Sequence, residues 1–112
     1  MEALFIVLNK TEKLNDLMLA FAEHGITGGT ILESQGMAKF LYSENHELPM
    51  FGSLYMLMND GRPVNKTIFM LLKKERVAVA KEVVKEVIGD LNTENVGIMF
   101  TVPVSSVEGL TK

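Results

Sequence analysis

Apolar residues change their spacing along this chain in a regular order, and each change predicts an element. Ala3-Leu4-Phe5-Ile6-Val7-Leu8 is an unbroken apolar run rich in strand formers, closed by the polar pair Asn9-Lys10, and it predicts a buried strand. Leu14, Leu17, Met18 and Phe21 then recur at helical spacing, with Thr11 placed to cap that helix, Glu12 near its positive end and His24-Gly25 to stop it. Residues 30–34 predict a second strand. From 35 to 60 the periodicity fades, and Pro49, Gly52 and scattered polar residues predict a long loop with a short helix over 54–58. A turn at Asn59-Asp60-Gly61 and Pro63 leads into a third strand, Thr67-Ile68-Phe69-Met70-Leu71-Leu72. The clearest helix is 75–88, where Val77, Ala80, Val84, Val87 and Ile88 share one side and Lys81, Glu82, Lys85 and Glu86 the other. It stops at Gly89, and residues 96–102 form a fourth strand.

The order strand, helix, strand, strand, helix, strand predicts an α+β fold of the ferredoxin-like type: one domain with an antiparallel sheet and two helices on one face. The other sheet face then needs cover, and strands with little polar alternation point to its burial in a cyclic oligomer. Composition agrees. A chain of 112 residues that is 47% hydrophobic buries roughly two thirds of its unfolded surface by itself, so the apolar excess reads as a subunit interface. No apolar run approaches the roughly 18 residues of a membrane span, and a net charge of -3 argues against a surface that neutralises nucleic-acid phosphates. The lack of cysteine removes disulfides, thiolate metal sites and cysteine nucleophiles. With two histidines and no credible Ser-His-acid arrangement, an enzyme is the least supported class. The amino terminus has no signal-peptide pattern, which makes the cytoplasm the expected location.

Lys13-Leu14-Asn15-Asp16-Leu17, followed by Ala20-Phe21-Ala22-Glu23-His24-Gly25-Ile26-Thr27-Gly28-Gly29-Thr30, closely resembles the first helix and second strand of the PII nitrogen-regulatory signalling proteins. Lys10 and Gly36 keep the register, and weaker similarity returns at Lys66-Thr67-Ile68 and Pro103-Val104. The resemblance implies a homotrimer with ligand clefts between subunits. It also implies adenine-nucleotide binding, often with 2-oxoglutarate, and a long recognition loop at about residues 36–63 that docks on a transporter or metabolic enzyme. By position it places Thr30 near a purine, Gly36, Met37, Ala38 and Lys39 beside the phosphates at the loop base, and Gly97 in the phosphate loop. Tyr55 falls near the tyrosine that some members modify.

The chain also departs from that pattern. The family's phosphate loop ends in lysine and is followed by two arginines; those positions are Ile98 and, approximately, Gly109 and Thr111. The arginine-glutamine pair at the loop base reads Lys39-Phe40. Losing several charge-assisted hydrogen bonds, each worth roughly 1.5–3 kcal/mol, disfavours a magnesium triphosphate and shifts the expected ligand toward mono- or cyclic nucleotides.

Other residues carry two readings each. Gly25, Gly28, Gly29 and Gly36 serve turn geometry or close ligand approach. Lys39, Arg62, Lys66, Lys73 and Lys74 are replacement cations or a solvated surface. Met50, Phe51, Leu54 and Met58 bind a partner or fold back on the trimer. Glu44, His46 and Glu47 are a solvated loop segment, the reading their spacing and single histidine favour, or a divalent-cation group, the feature that a CutA-type metal-binding trimer of the same fold would need. A structural trimer without a ligand is the third reading.

Overall fold

Burial alternates along β1 (Glu2–Leu8): Leu4, Ile6 and Leu8 are fully buried while Phe5 and Val7 between them are half-buried. Successive strand residues point to opposite faces of a sheet, so β1 has one face committed to a core and one that is not. The computed structural model describes residues 1–57 and 64–110. They form an α+β structure with four strands and four helices. After β1 come a single 3-10 turn (Thr11–Lys13), α1 (Leu14–Glu23), β2 (Thr30–Ser34), α2 (Met37–Glu44), α3 (Pro49–Leu57), β3 (Asn65–Leu72), α4 (Lys74–Ile88) and β4 (Gly97–Pro103). The strands lie in the order β2-β3-β1-β4, and every neighbouring pair is antiparallel.

The core lies between α1, α4 and one face of this sheet. Leu17 and Phe21 of α1 and Val77, Ala80, Val83, Val84 and Ile88 of α4 meet Leu4, Ile6 and Leu8 of β1 and Ile68, Met70 and Leu72 of β3. Each large side chain fully buried there contributes about 1.5–3 kcal/mol relative to exposure. The spacing along α4 places the helix as expected, although Val83 joins the core and Val87 packs only at its margin.

On the opposite face, Phe5 stacks on Phe69 at 5.9 Å and on Phe100 at 5.1 Å, a continuous row across three strands. Ile98, Phe100, Val102 and Leu32 on this face remain exposed.

Two local expectations are corrected. Thr11 does not cap α1: it opens the 3-10 turn, and α1 starts after Lys13 without a side-chain cap. The Asn9 and Lys10 amides both donate to the Val96 carbonyl, tying the end of β1 to the approach to β4, and the chain turns there through the 3-10 geometry. The end of α1 is as expected. Gly25 adopts φ +76°, the left-handed conformation that closes a helix, and His24 Nδ1 contacts the Ala20 carbonyl at 2.9 Å.

The second correction concerns residues 36–57, expected as a loop with one short helix; they form the helices α2 and α3. Pro49 is the first residue of α3, the position where proline's missing amide costs a helix nothing. Gly52 lies inside α3, where the Tyr42 ring of α2 sits 3.5 Å from the point a Cβ would occupy, an ordinary contact distance. Tyr42 in turn stacks on Tyr55 at 5.1 Å, so the two helices pack as a hairpin. The expected turn at Asn59-Asp60-Gly61 and Pro63, together with Met58, Arg62 and Thr111, lies outside the described residues.

Candidate functional site

The end of β2 and the start of β3 gather the polar side chains from which the α2–α3 hairpin rises. Asn65, the first residue of β3, is the buried polar side chain among the described residues, 8% exposed. The Ser34 hydroxyl lies within hydrogen-bond distance of Asn65 Oδ1 (2.5 Å) and of Thr67 Oγ1 (2.7 Å). Asn65 Nδ2 donates to Asn9 Oδ1 at 3.3 Å. Register explains the cluster: Ser34 pairs with Asn65, and Asn65 and Thr67 are two residues apart on the face opposite the helices. Buried amides that lose such partners cost about 1–3 kcal/mol. Asn65→Ala is therefore expected to lower the unfolding free energy by about that much in urea titration, and a change below about 0.5 kcal/mol would show that the cluster is solvated instead.

Directly above this cluster, Gly36 precedes α2 with extended backbone, and a Cβ at Gly36 would sit 3.7 Å from Asn65 Nδ2. Met37, Ala38 and Lys39 form the first turn of α2, Met37 exposed and the other two half-buried. Thr30 is exposed at the far end of β2, opposite Phe69. These five residues thus mark the two ends of one edge strand. Gly97 does not join them within the chain. It opens β4 at the opposite sheet edge, three strand spacings away, on the order of 14 Å. Gly97 has φ +155°, and a Cβ there would come within 2.6 Å of the Val7 carbonyl oxygen, so packing of β4 on β1 itself demands glycine at this position.

The hairpin carries the apolar residues expected to meet a partner. No residue of α2 or α3 is buried. Met50 and Leu54 are exposed four residues apart on α3, and Leu57 continues the same helical stripe, while Phe51 and Tyr55 are half-buried. The α3 end returns to the sheet, where Asn95 Nδ2 donates to the Leu57 carbonyl at 3.2 Å. Tyr55 is held in its stack with Tyr42. Glu44 ends α2, and His46 and Glu47 lie exposed in the turn at the hairpin tip. Asn45 holds this turn through its own side-chain and backbone bonds to Leu41. Among the described residues no group of three or more His, Asp or Glu is placed to hold a metal ion, and Glu44, His46 and Glu47 are exposed, in keeping with their reading as a solvated segment.

The candidate cations separate by position. Lys66 pairs with Glu33 at 3.2 Å across the β2–β3 ladder. Lys39 belongs to the hairpin. Lys73 caps α4 from an extended conformation and lies beside Arg76, whose guanidinium donates to the His24 carbonyl. Sequence reasoning missed both Arg76 and the Ser34–Asn65–Thr67–Asn9 cluster. The bonds of that cluster join residues 31 to 56 positions apart, and local spacing carries no signal for them.

Chemically, the cluster offers hydroxyl and amide groups, which hold and orient neutral or anionic polar atoms. Among the described residues no helix is long and apolar enough to cross a membrane. Searches against protein-family models and against curated proteins return no match.

Proposed function

We propose that this chain is the subunit of a cytoplasmic, homotrimeric PII-like regulator with a ferredoxin-like fold. In this reading it binds a small molecule, an adenine nucleotide with few phosphates, in clefts between subunits and acts on a partner protein through the α2–α3 hairpin rather than by catalysis. The observation that carries this reading is the hairpin itself. It is an apolar, unburied protrusion rooted at Gly36 beside the Ser34–Asn65 cluster, and its other end is tied to Asn95 near β4. A group bound at Gly36 to Lys39 would touch the hairpin's first turn, so occupancy would bias one hairpin orientation over another, and a partner would read that orientation.

The half-buried aromatic row, with Phe100, Ile98, Val102 and Leu32 exposed on the same face, supports the oligomer, since apolar surface of this kind on a sheet face is stabilised by burial against further copies. Ile98 fits the same view: where the family carries its phosphate lysine, this chain adds an exposed apolar side chain to that face.

Calorimetric titration with ATP, ADP, AMP and cyclic nucleotides tests the ligand. Mono- or cyclic nucleotides are expected to bind at least tenfold more tightly than magnesium-ATP, about 1.4 kcal/mol or more. Tight magnesium-ATP binding would reverse the argument from the missing cations, and a folded trimer that binds none of the four would remove nucleotide sensing.

A further inference from the structure

A cavity of about 510 Å³ opens at the end of the sheet away from the hairpin, bounded by the turn after α1, the end of β3 and the first turn of α4. That volume lies within the range of small-molecule sites, roughly 300–1,000 Å³. Its lining is divided. Met1, Leu71 and Leu110 give it an accessible apolar side over the buried Ile26, Met70 and Leu72, and Lys73 and Arg76 give it two cations against the single carboxylate of Glu75.

Arg76 is half-buried and fixed by its bond to the His24 carbonyl, so its guanidinium is already oriented without a ligand. A guanidinium has five N–H donors, and this bond uses one. Neither Arg76 nor Lys73 is paired with a carboxylate among the described residues. Thr27 and Gly28 form part of the rim, and the space where a Gly28 side chain would stand is open, with no heavy atom within 4 Å of the point a Cβ would occupy.

From this arrangement we infer a second binding site, contained within each protomer, for a compact organic anion: an apolar or aromatic body carrying one phosphate or carboxylate. The apolar lining takes the body. Lys73 and Arg76 clamp the oxyanion, a geometry for which a pre-oriented guanidinium is suited. With Glu75 counted, the side chains supply one net positive charge, which matches a singly charged or doubly charged group and not a triphosphate.

The site goes beyond the proposed intersubunit cleft, because its lining comes from the turn after α1, the end of β3 and the start of α4, and not from Gly36 to Lys39. The experiment is calorimetric titration of the full chain with AMP, with phenylacetate as a carboxylate probe, and with adenosine as a body lacking the anion. At least one of the two anions is expected to bind more tightly than adenosine, and to weaken at least tenfold in both Lys73→Gln and Arg76→Gln. Lys73 is exposed, so its substitution leaves the fold intact should Arg76→Gln disturb the α1–α4 contact. Gly28→Leu fills the opening and is expected to abolish binding without lowering the melting temperature.

Neither anion outcompeting adenosine would overturn the inference, as would anion binding unaffected by both Lys73→Gln and Gly28→Leu. Binding insensitive to these changes but lost in Lys39→Gln would assign the ligand to the intersubunit cleft, overturning the protomer site and leaving the regulatory reading in place. Lys73-dependent binding by a protein that runs as a single chain would do the reverse.

Discussion

Replacing Gly97 with alanine is expected to lower the melting temperature by roughly 10–20 °C, corresponding to about 2–4 kcal/mol in a domain of this size. Two effects act together. The backbone sits at φ +155°, where a side chain is strained, and the new Cβ would lie 2.6 Å from the Val7 carbonyl oxygen. That oxygen belongs to the β1 backbone, which is paired on both sides, so it cannot move away as a flexible side chain would. Gly28→Ala is the matched control: nothing lies within 4 Å of its added Cβ, and the change is expected to stay within about 0.5 kcal/mol. Thermal unfolding followed by circular dichroism separates the two. Equal melting temperatures for both variants would mean that β4 does not approach β1 this closely. The family resemblance puts Gly97 in a phosphate loop, and the strand contact gives it a sufficient reason to be glycine without any ligand.

The second large effect concerns assembly. Phe100→Asp is expected to convert a species of three chain masses into one of a single chain mass, measured by light scattering on a sizing column. In the isolated chain Phe100 is 44% exposed and stacked on Phe5, so a carboxylate there loses only a stacking contact worth about 0.5–1.5 kcal/mol. In an assembly that buries the aromatic row, the same carboxylate would be unpaired and desolvated at a cost of several kcal/mol, repeated at each symmetry-related position. Leu19→Asp, on the exposed side of α1, is the control and is expected to leave the mass unchanged. A trimer that survives Phe100→Asp would place the interface elsewhere, and a wild-type protein with a single chain mass would dismiss the trimer altogether.

The corrected hairpin has a local cause. Helices α1 and α4 are legible in the sequence because each has a polar side and an apolar side, and that contrast is the signal of period 3.6. Helix α3 has no such contrast. Pro49-Met50-Phe51-Gly52-Ser53-Leu54-Tyr55-Met56-Leu57 has no charged residue, so its apolar positions do not define a face, and the proline and glycine within it read as breakers. The contact that packs α3 at Gly52 comes from Tyr42, ten residues earlier. Glu44, His46 and Glu47 are close in sequence, but α2 ends at Glu44 and the Asn45 turn follows, so proximity along the chain does not become convergence in space.

By itself the sequence determined the types and order of the six elements of the two-layer body and the residues of α1 and α4 that face inward. Those are consequences of local spacing, because each strand or helix buries the side on which its own apolar residues recur. Only the tertiary structure decided the hairpin, the burial of Asn65 within a polar cluster, the docking of Arg76 on the His24 carbonyl beside a cavity, and the clash that reserves position 97 for glycine. Each of these depends on atoms brought together from distant parts of the chain, through strand register and the crossing of α1 with α4, and no run of neighbouring residues encodes that geometry.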